Sequence, residues 1–240
     1  MKGPWIDSSA VLLGGIAGAA LGNRIPARIK TALPLTFGLC SMGLGIALTV
    51  SVKHLAAMVL ALILGAFLGE LTCFEAGIGR LSEKLRAVID KIMPSSPDAG
   101  EPDSEYLQTF VAVLVLFCAS GTGIFGSMKE GMTGDATVLI AKALLDFFTA
   151  AIFGTQLGYV TALIAVPQLL IQVSLEYGAG FILPLTNASR IADFSAVGGL
   201  IMFATGLRIC RIKEFAVANM LPALLLAMPL SALWTHFFPS

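Results

Sequence analysis

The chain has 240 residues, of which 57% are hydrophobic and only 12% are charged, and its mean hydropathy is +0.88. Because a soluble domain is about one quarter charged, this composition excludes a water-soluble globular fold and indicates the lipid bilayer as the main partner. The net charge is zero. Nucleic-acid binding is therefore not expected, since no basic surface is available to follow a phosphate backbone.

Eight apolar segments are long enough to cross a bilayer as helices, which takes about 20 residues each. The first segment follows no basic region and precedes no cleavage site, so it predicts a retained helix and not a signal peptide. The sequence thus predicts an all-α, polytopic transmembrane helix bundle of about eight spans. The segments lie at 8–25, 34–52, 55–72, 107–128, 136–153, 158–183, 190–207 and 215–237.

A polar connector divides the single membrane domain, 1–240, into helices 1–3 (1–73) and helices 4–8 (105–240). In the connector, 74–104, apolar residues recur at spacings of three and four while basic residues occupy the other faces. This pattern predicts an amphipathic helix on the cytoplasmic membrane surface, followed by a Pro-rich linker. The apolar residues are Phe74, Ile78, Leu81, Leu85, Val88 and Ile92.

Basic residues are concentrated after three of the eight segments. Lys and Arg favour cytoplasmic loops, and they follow segments one, three and seven, so both termini are predicted outside. Trp5 and Trp234 agree with this orientation, because they lie at the predicted outer ends, where aromatic rings prefer the headgroup level. The ten basic residues are Arg24, Arg28, Lys30, Arg80, Lys84, Arg86, Lys91, Arg208, Arg211 and Lys213.

Parts of the chain resemble one another. The run at 7–11 matches the run at 193–197, with Asp7 aligned on Asp193, and 40–46 resembles 118–124. The matched helices run in the same predicted direction, so the similarity predicts no inverted repeat of the kind found in many transporters. An internal duplication is one interpretation, and chance similarity within low-complexity membrane sequence is the other.

A glycine-rich run interrupts the fourth segment. Glycine costs about 1 kcal/mol relative to alanine inside a helix. The run therefore predicts an unwound helix whose free backbone groups bind a solute. The alternative is that small residues let neighbouring helices approach closely. The candidate residues for the solute path are Ser120, Gly121, Thr122, Gly123 and Gly126.

Two ionisable residues, Lys142 and Asp146, lie near the middle of the fifth segment. Residues four apart share a helix face. A charge at the bilayer centre costs at least about 2.5–3.5 kcal/mol, so these residues are candidates for the solute path. The alternative is a self-neutralising pair that only faces the bundle interior.

Three further acidic residues have predicted roles. Glu176 shares a face of segment six with Gln172 and either lines a polar path or sits in interfacial water. Asp7 and Asp193 lie at predicted helix starts, where a carboxylate accepts hydrogen bonds from free backbone N–H groups as an N-cap. Glu176 and Asp193 are both included in the candidate solute path.

No cofactor, metal site or enzymatic activity is expected. The four cysteines, in or beside apolar segments without paired spacing, are predicted to be packing residues. The two histidines both fall at predicted outer ends of helices, and no Gly-x-Ser-x-Gly or His-Glu-x-x-His motif occurs. These residues are Cys40, Cys73, Cys118, Cys210, His54 and His236.

Long runs of the chain closely resemble the bacterial inner-membrane family catalogued as domain of unknown function 554. The resemblance covers nearly the whole chain and implies a location in the bacterial cytoplasmic (inner) membrane, but it supplies no substrate, cofactor or catalytic residue. The runs are FCASGTGIFGSMKEGMTGD (117–135), AKALLDFF (141–148), ADFSAVGGL (192–200), ATGLRI (204–209) and NMLPALLLAMPLSALW (219–234).

The residues themselves favour a secondary transporter or permease for a small polar or ionic solute, with its path near 121–126, Lys142 and Asp146. A channel-like pore that uses the same residues is one alternative. A scaffold in which the polar residues only fix helix pairing is another. The small-residue helices permit a homo-oligomer without requiring one.

Overall fold

The computed structural model describes residues 2–24, 26–77, 80, 109–110, 113–114, 116–118, 120–182 and 186–238. These residues form helices and short turns, and no strand occurs among them. The all-α class is therefore confirmed. Of the connector at 74–104, only 74–77 and residue 80 are described, and they are helical. The rest of the predicted amphipathic helix and its linker lies outside the described residues.

The longer helices follow the predicted apolar segments. Residues 109–110, 113–114 and 116–118 are also helical and precede α4, and 3-10 turns span Gly22–Arg24 and Val217–Met220. The helices are α1 (Gly3–Leu21), α2 (Ala27–Thr49), α3 (Leu55–Leu71), α4 (Gly121–Thr133), α5 (Thr137–Leu157), α6 (Val160–Leu163), α7 (Ala165–Ile182), α8 (Ala188–Ile209) and α9 (Pro222–Phe237).

Six of the described helical segments are long and apolar enough to cross a membrane, and α3 is an apolar helix of 17 residues. Large apolar side chains cover the outside of the bundle. Leu39 is 64% exposed and Phe181 is 84% exposed. Such a surface is unfavourable in water and suits the hydrocarbon core of a bilayer. The protein is a polytopic helical membrane protein.

Glycines bring the helix backbones into close contact. A methyl group added at Gly18 of α1 would overlap the carbonyl group of Ala151 in α5, and one at Gly45 of α2 would overlap that of Gly199 in α8. Small residues commonly allow this approach where lipid leaves helices without a hydrophobic driving force for association. The α1–α5 and α2–α8 pairs are therefore the closely packed frame of the bundle.

Polar contacts tie the loops together at each end. At one end, Glu75 Oε1 after α3 lies 2.9 Å from Arg208 Nη1 at the end of α8. We call this the basic end, because it gathers the predicted cytoplasmic loops. At the opposite end, Glu130 of α4 accepts hydrogen bonds from the backbone N–H groups of Lys2 (2.8 Å) and Gly3 (3.0 Å). The loops that the charge pattern groups together after segments three and seven thus lie at one end.

Candidate functional site

A cavity of about 350 Å³ opens near the basic end and extends into the bundle. Its outer rim includes Thr31 at the start of α2, Gln156 at the end of α5 and Ile209 at the end of α8. Thr31 and Gln156 are exposed. The cavity is therefore reached from the end that carries the basic loops.

The polar part of the cavity wall contains four of the residues that the sequence predicts for the solute path. They come from two different elements, the start of α4 and the middle of α5. Tertiary structure thus joins the glycine-rich run to the ionisable pair of the next helix. The four residues are Ser120, Thr122, Lys142 and Asp146.

The fourth segment is discontinuous at the cavity. Residues 116–118 are helical, Ser120 is extended with φ −64° and ψ 124°, and α4 begins at Gly121. The first α-helical hydrogen bond of α4 runs from Ile124 N to Ser120 O, at 3.0 Å. The N–H groups of the preceding three residues therefore have no partner within the helix, and the side chain of Ser120, the residue before the helix, does not cap them. The helix start presents these donors beside the cavity.

The glycines themselves are helical, so the prediction that 121–126 is unwound is wrong, and the interruption falls at Ser120 instead. The physical reason is close packing. A Cβ atom at Gly126 would lie 2.8 Å from Leu139 Cδ2, and one at Gly121 would lie 2.8 Å from Ile201 Cγ2. A Cβ at Gly123 would lie 3.1 Å from Lys142 Cε. The close-approach alternative accounts for these glycines.

The predicted pair of Lys142 and Asp146 is present and has a third member. Lys142 Nζ hydrogen-bonds Asp146 Oδ2 one helical turn away and also lies 2.8 Å from Asp7 Oδ2 of α1. Lys142 is 3% exposed and Asp7 is fully buried. Charges this deep in a protein persist only when they are paired and hydrogen-bonded.

Two glutamines of α7 complete the group. Gln168 Nε2 lies 2.7 Å from Asp7 Oδ2 and 3.2 Å from Asp146 Oδ2, and Gln172 Nε2 lies 2.5 Å from Asp7 Oδ2. One carboxylate oxygen of Asp7 therefore accepts three hydrogen bonds, two from glutamines and one from Lys142. We call these five residues the Asp7 cluster: Asp7, Lys142, Asp146, Gln168 and Gln172.

The remaining predicted site residues lie elsewhere. Glu176 is 3% exposed and sits one turn beyond Gln172, where α7 packs against Gly131 of α4. It does not line the cavity of about 350 Å³. Glu176 nevertheless shares a face of α7 with two members of the Asp7 cluster, because residues 168, 172 and 176 are spaced four positions apart.

Asp193 belongs to a separate group of hydrogen bonds. Its carboxylate accepts from the backbone N–H groups of Lys53 and His54, each at 2.8 Å, and from the Ser231 hydroxyl at 2.6 Å. The Nδ1 atom of His54 lies 2.7 Å from Asp193 Oδ2. Asp193 therefore joins α8 to the start of α3 and to α9, away from the cavity.

The N-cap predictions for Asp7 and Asp193 are wrong, because both helices begin earlier than the apolar segments indicated. α1 starts at Gly3 and α8 at Ala188. The Asn187 side chain accepts from Arg190 N at 2.9 Å and caps α8. For α1, the carboxylate of Glu130 satisfies the first N–H groups from a neighbouring helix.

Sequence reasoning missed Asp7 and Gln168 as members of the site. The signals were present. Extending segment one back to Gly3 places Asp7 inside an apolar span, where an ionisable residue indicates function by default. The four-residue spacing from Gln168 to Gln172 and Glu176 marks a polar face of α7.

Among the described residues, no three His, Cys, Asp or Glu side chains form a group that could hold a metal ion.

Comparisons with known proteins place the whole chain in one family. The model of the family DUF554, described as a protein of unknown function, matches residues 2–232. The uncharacterized protein YqgA of Escherichia coli (strain K12) is 54% identical over 237 residues, which cover 98% of each chain. The uncharacterized membrane protein YdfK of Bacillus subtilis (strain 168) is 26% identical over 230 residues, 94% of this chain and 93% of YdfK. No solved structure matches. The family model and YqgA both match nearly the full length of this chain, which therefore belongs to the DUF554 family.

Proposed function

We propose that this protein is a secondary transporter or permease that moves a small polar or ionic solute across the bacterial inner membrane. One observation carries the proposal: a cavity within the membrane bundle is lined by both an interrupted helix and the buried Lys142–Asp146 pair. Interrupted helices beside a cavity are a recurrent way for transporters to offer backbone groups to a solute.

The composition of the cavity wall suits a small polar or ionic solute that also has apolar parts. Ser120 and Thr122 supply hydroxyl groups beside the N–H groups at the start of α4. The rest of the wall combines apolar side chains with polar ones, which are Lys30, Thr31, Ser41, Thr149, Gln156 and Thr205. A cavity of about 350 Å³ lies at the small end of the range for ligand pockets, about 300–1,000 Å³. Its apolar lining includes Phe37, Leu116, Phe117, Leu145, Ile152 and Phe153.

The position of the Asp7 cluster favours a transporter over a channel-like pore. Lys142 and Asp146 form the inner wall of the cavity, while Asp7, Gln168 and Gln172 are 0–3% exposed and do not line it. The cluster thus stands between the cavity and the opposite end of the bundle. A cavity that is accessible from one end supports alternating access, in which the closed side opens in another conformation.

Transport assays in proteoliposomes test the proposal. Purified protein is reconstituted and currents and uptake are measured with inorganic anions, small carboxylates and amino acids as the probes. We expect at least one probe to show saturable, gradient-driven uptake. Substitution of Ser120 and Thr122 by valine should abolish that uptake, whereas Gly178→Ala should retain it, because a Cβ at Gly178 contacts nothing within 4 Å.

The outcomes separate the three function classes. Saturable uptake that Ser120 and Thr122 control supports the transporter. A non-saturable current that the same substitutions change indicates a channel-like pore and rejects the transporter. Neither uptake nor current for any probe, with protein that is folded and correctly inserted, indicates a scaffold and rejects both.

A further inference from the structure

The Asp7 cluster holds more negative than positive charge. Asp7 and Asp146 contribute two carboxylates, and within the described part of the chain Lys142 is the one basic side chain that hydrogen-bonds them. If all three are ionised, the cluster carries one net negative charge. The Asp146 side chain lines the cavity and is 13% exposed, but Asp7 is fully buried and Lys142 is 3% exposed. Solvent therefore screens the charge at Asp7 weakly, and an uncompensated charge in such surroundings is very costly.

The cluster also contains hydrogen-bond acceptors without partners. The buried atoms Asp7 Oδ1, Gln168 Oε1 and Gln172 Oε1 have no hydrogen-bond partner among the residues that the structure describes. Reversing the glutamine amides would not help, since a carboxylate accepts only, and each amide already turns its Nε2 donor towards Asp7. Three such oxygens, on Asp7 and on the two glutamines that donate to it, are an exception to the rule that buried polar atoms are paired.

We propose that the Asp7 cluster binds one monovalent cation, a proton or Na⁺, and that this cation is the coupling ion of the transporter. One positive charge neutralises the cluster. Na⁺ takes carboxylate and amide oxygens of this kind as ligands, whereas a proton on Asp7 Oδ1 turns that oxygen into a donor for one of the glutamine oxygens. The inference rests on the proposed function for the role of the ion as driver. Its binding can be tested without transport.

The position of the cluster explains how binding would couple to a solute. Lys142 and Asp146 face the cavity on one side and bond Asp7 or Gln168 on the other. A cation bound beside Asp7 changes the charge balance around Lys142, and so it changes the electrostatic potential at a solute in the cavity. Coupling between two sites needs such a shared element whose state both ligands influence.

Other titratable groups lie near Asp7 on the elements packed against α1. Glu130 of α4 bonds the first N–H groups of α1, and Glu176 of α7 lies one turn beyond Gln172. Cys118 interacts electrostatically with Lys142 and Asp146. A pH response of the wild type alone therefore does not identify the cluster, and the test compares variants of Asp7 itself.

The experiment measures thermal unfolding of the purified, detergent-solubilised protein in two series. One series replaces choline by Na⁺ at constant ionic strength and pH, and the other varies pH without Na⁺. Asp7→Asn makes the cluster neutral, and its amide can donate to the unpaired glutamine oxygens, so this variant should fold. Ser174→Ala, on the exposed face of α7, is the matched control.

A rise of Tm with Na⁺ that is lost in Asp7→Asn and kept in Ser174→Ala identifies Na⁺. If Na⁺ has no effect, a pH dependence that differs by about one proton between wild type and Asp7→Asn identifies a proton. Identical Na⁺ and pH responses in wild type and Asp7→Asn overturn the proposal. Transport assays are separate: a cluster that binds its cation in a protein without uptake would refute the transporter and leave the binding site.

Gln172→Leu keeps the inference testable if Asp7→Asn does not fold. It removes one free oxygen and one donor to Asp7. For Na⁺, we expect the concentration that gives half of the Tm shift to rise at least about tenfold, which corresponds to 1.4 kcal/mol. For a proton, the pH midpoint should move up, because loss of a donor disfavours the charged carboxylate. No change in either series contradicts the proposal.

Discussion

Asp7 and Lys142 are separated by 135 positions in the sequence, yet Asp7 Oδ2 lies 2.8 Å from Lys142 Nζ in the interior of the bundle. This contact makes Lys142 the shared partner of two carboxylates, because Asp146 bonds the same ammonium group. The pair expected from the fifth segment is therefore part of a three-residue ionic group. Its mutational behaviour should be that of a triad.

Removing the lysine should be the most damaging single change in this group. Lys142→Met leaves two buried carboxylates without their cation, and breaking a buried ion pair costs about 3–5 kcal/mol. Asp146→Asn leaves Lys142 paired with Asp7 and should cost clearly less. Folded yield and Tm of the purified variants give the order. A Lys142→Met variant as stable as Asp146→Asn would contradict the triad.

Multiple substitutions test more directly whether Asp7, Lys142 and Asp146 form a triad. The double variant Lys142→Met, Asp146→Leu still contains a buried Asp7 and should fail to recover folded yield. Adding Asp7→Asn removes the last charge and should restore the yield but not the solute uptake. Size-exclusion profiles report the yield, and proteoliposome uptake reports function. Full uptake by the neutral triple variant would reduce the cluster to helix packing.

Gly123 gives a test of the α4 contact with the cluster. A Cβ atom there would lie 3.1 Å from Lys142 Cε and 3.3 Å from Gln172 Nε2, tighter than ordinary van der Waals contact. Gly123→Ala should displace these side chains and reduce uptake by about tenfold, which corresponds to roughly 1.4 kcal/mol, while the yield of folded protein holds. Gly178→Ala is the control, since its Cβ meets nothing. Equal uptake by both variants would show that the contact of α4 with the cluster is not needed for transport.

Asp193 should stabilise the fold without contributing to solute binding. Its carboxylate receives four hydrogen bonds from His54, Lys53 and Ser231. Asp193→Ala leaves the buried Ser231 hydroxyl and the partly buried donors of Lys53 and His54 without this acceptor, and an unpaired buried group costs about 1–3 kcal/mol. We expect a lower Tm with an unchanged KM for the solute, measured on the protein that remains folded. A changed KM would instead support the prediction from sequence that Asp193 belongs to the solute path.

The orientation of the bundle can be tested with introduced cysteines in a variant that lacks the four native ones. Ser51, in the turn after α2, and Glu214, in the loop after α8, are exposed residues at opposite ends of the bundle. The charge pattern puts Ser51 outside and Glu214 in the cytoplasm. An impermeant thiol reagent added to intact cells should label Ser51→Cys and spare Glu214→Cys. The reverse labelling pattern would invert the topology and place the cavity mouth outside.

Asp135 gives a pH-dependent prediction in the turn between α4 and α5. The Lys129 ammonium, with its Nζ 2.7 Å from Asp135 Oδ2, and the Thr137 hydroxyl and N–H lower the pKa of Asp135 from 3.8 to about 2. The depressed pKa adds stability that is complete above pH 3.8 and is lost as pH falls through about 2.

Asp135→Asn should therefore lower Tm at neutral pH, and its difference from wild type should shrink over that acidic range. The effect should be small, because the Asp135 side chain is 41% exposed and solvent screens the pair. Tm measured across a pH series checks this. A difference that grows on acidification would show that another group controls the turn.

The sequence by itself determined the class of this protein and much of its organisation. Low charge and long apolar runs leave no way to fold in water, so the helical membrane class follows from composition alone. The four-residue spacing of Lys142 and Asp146 fixes their shared helix face without any tertiary information. The family likewise follows from long matching runs, which are a property of sequence.

Tertiary structure decided which residues form the site and where the helix is interrupted. Asp7 and Gln168 join the cluster only because α5 and α7 both pack against α1, and local sequence cannot encode a contact across 135 positions. The glycines of α4 stay helical because neighbouring side chains fill the space beside them, which outweighs their weak intrinsic helix propensity. Propensity and spacing act within one helix, whereas burial, pairing and charge balance depend on which helices become neighbours.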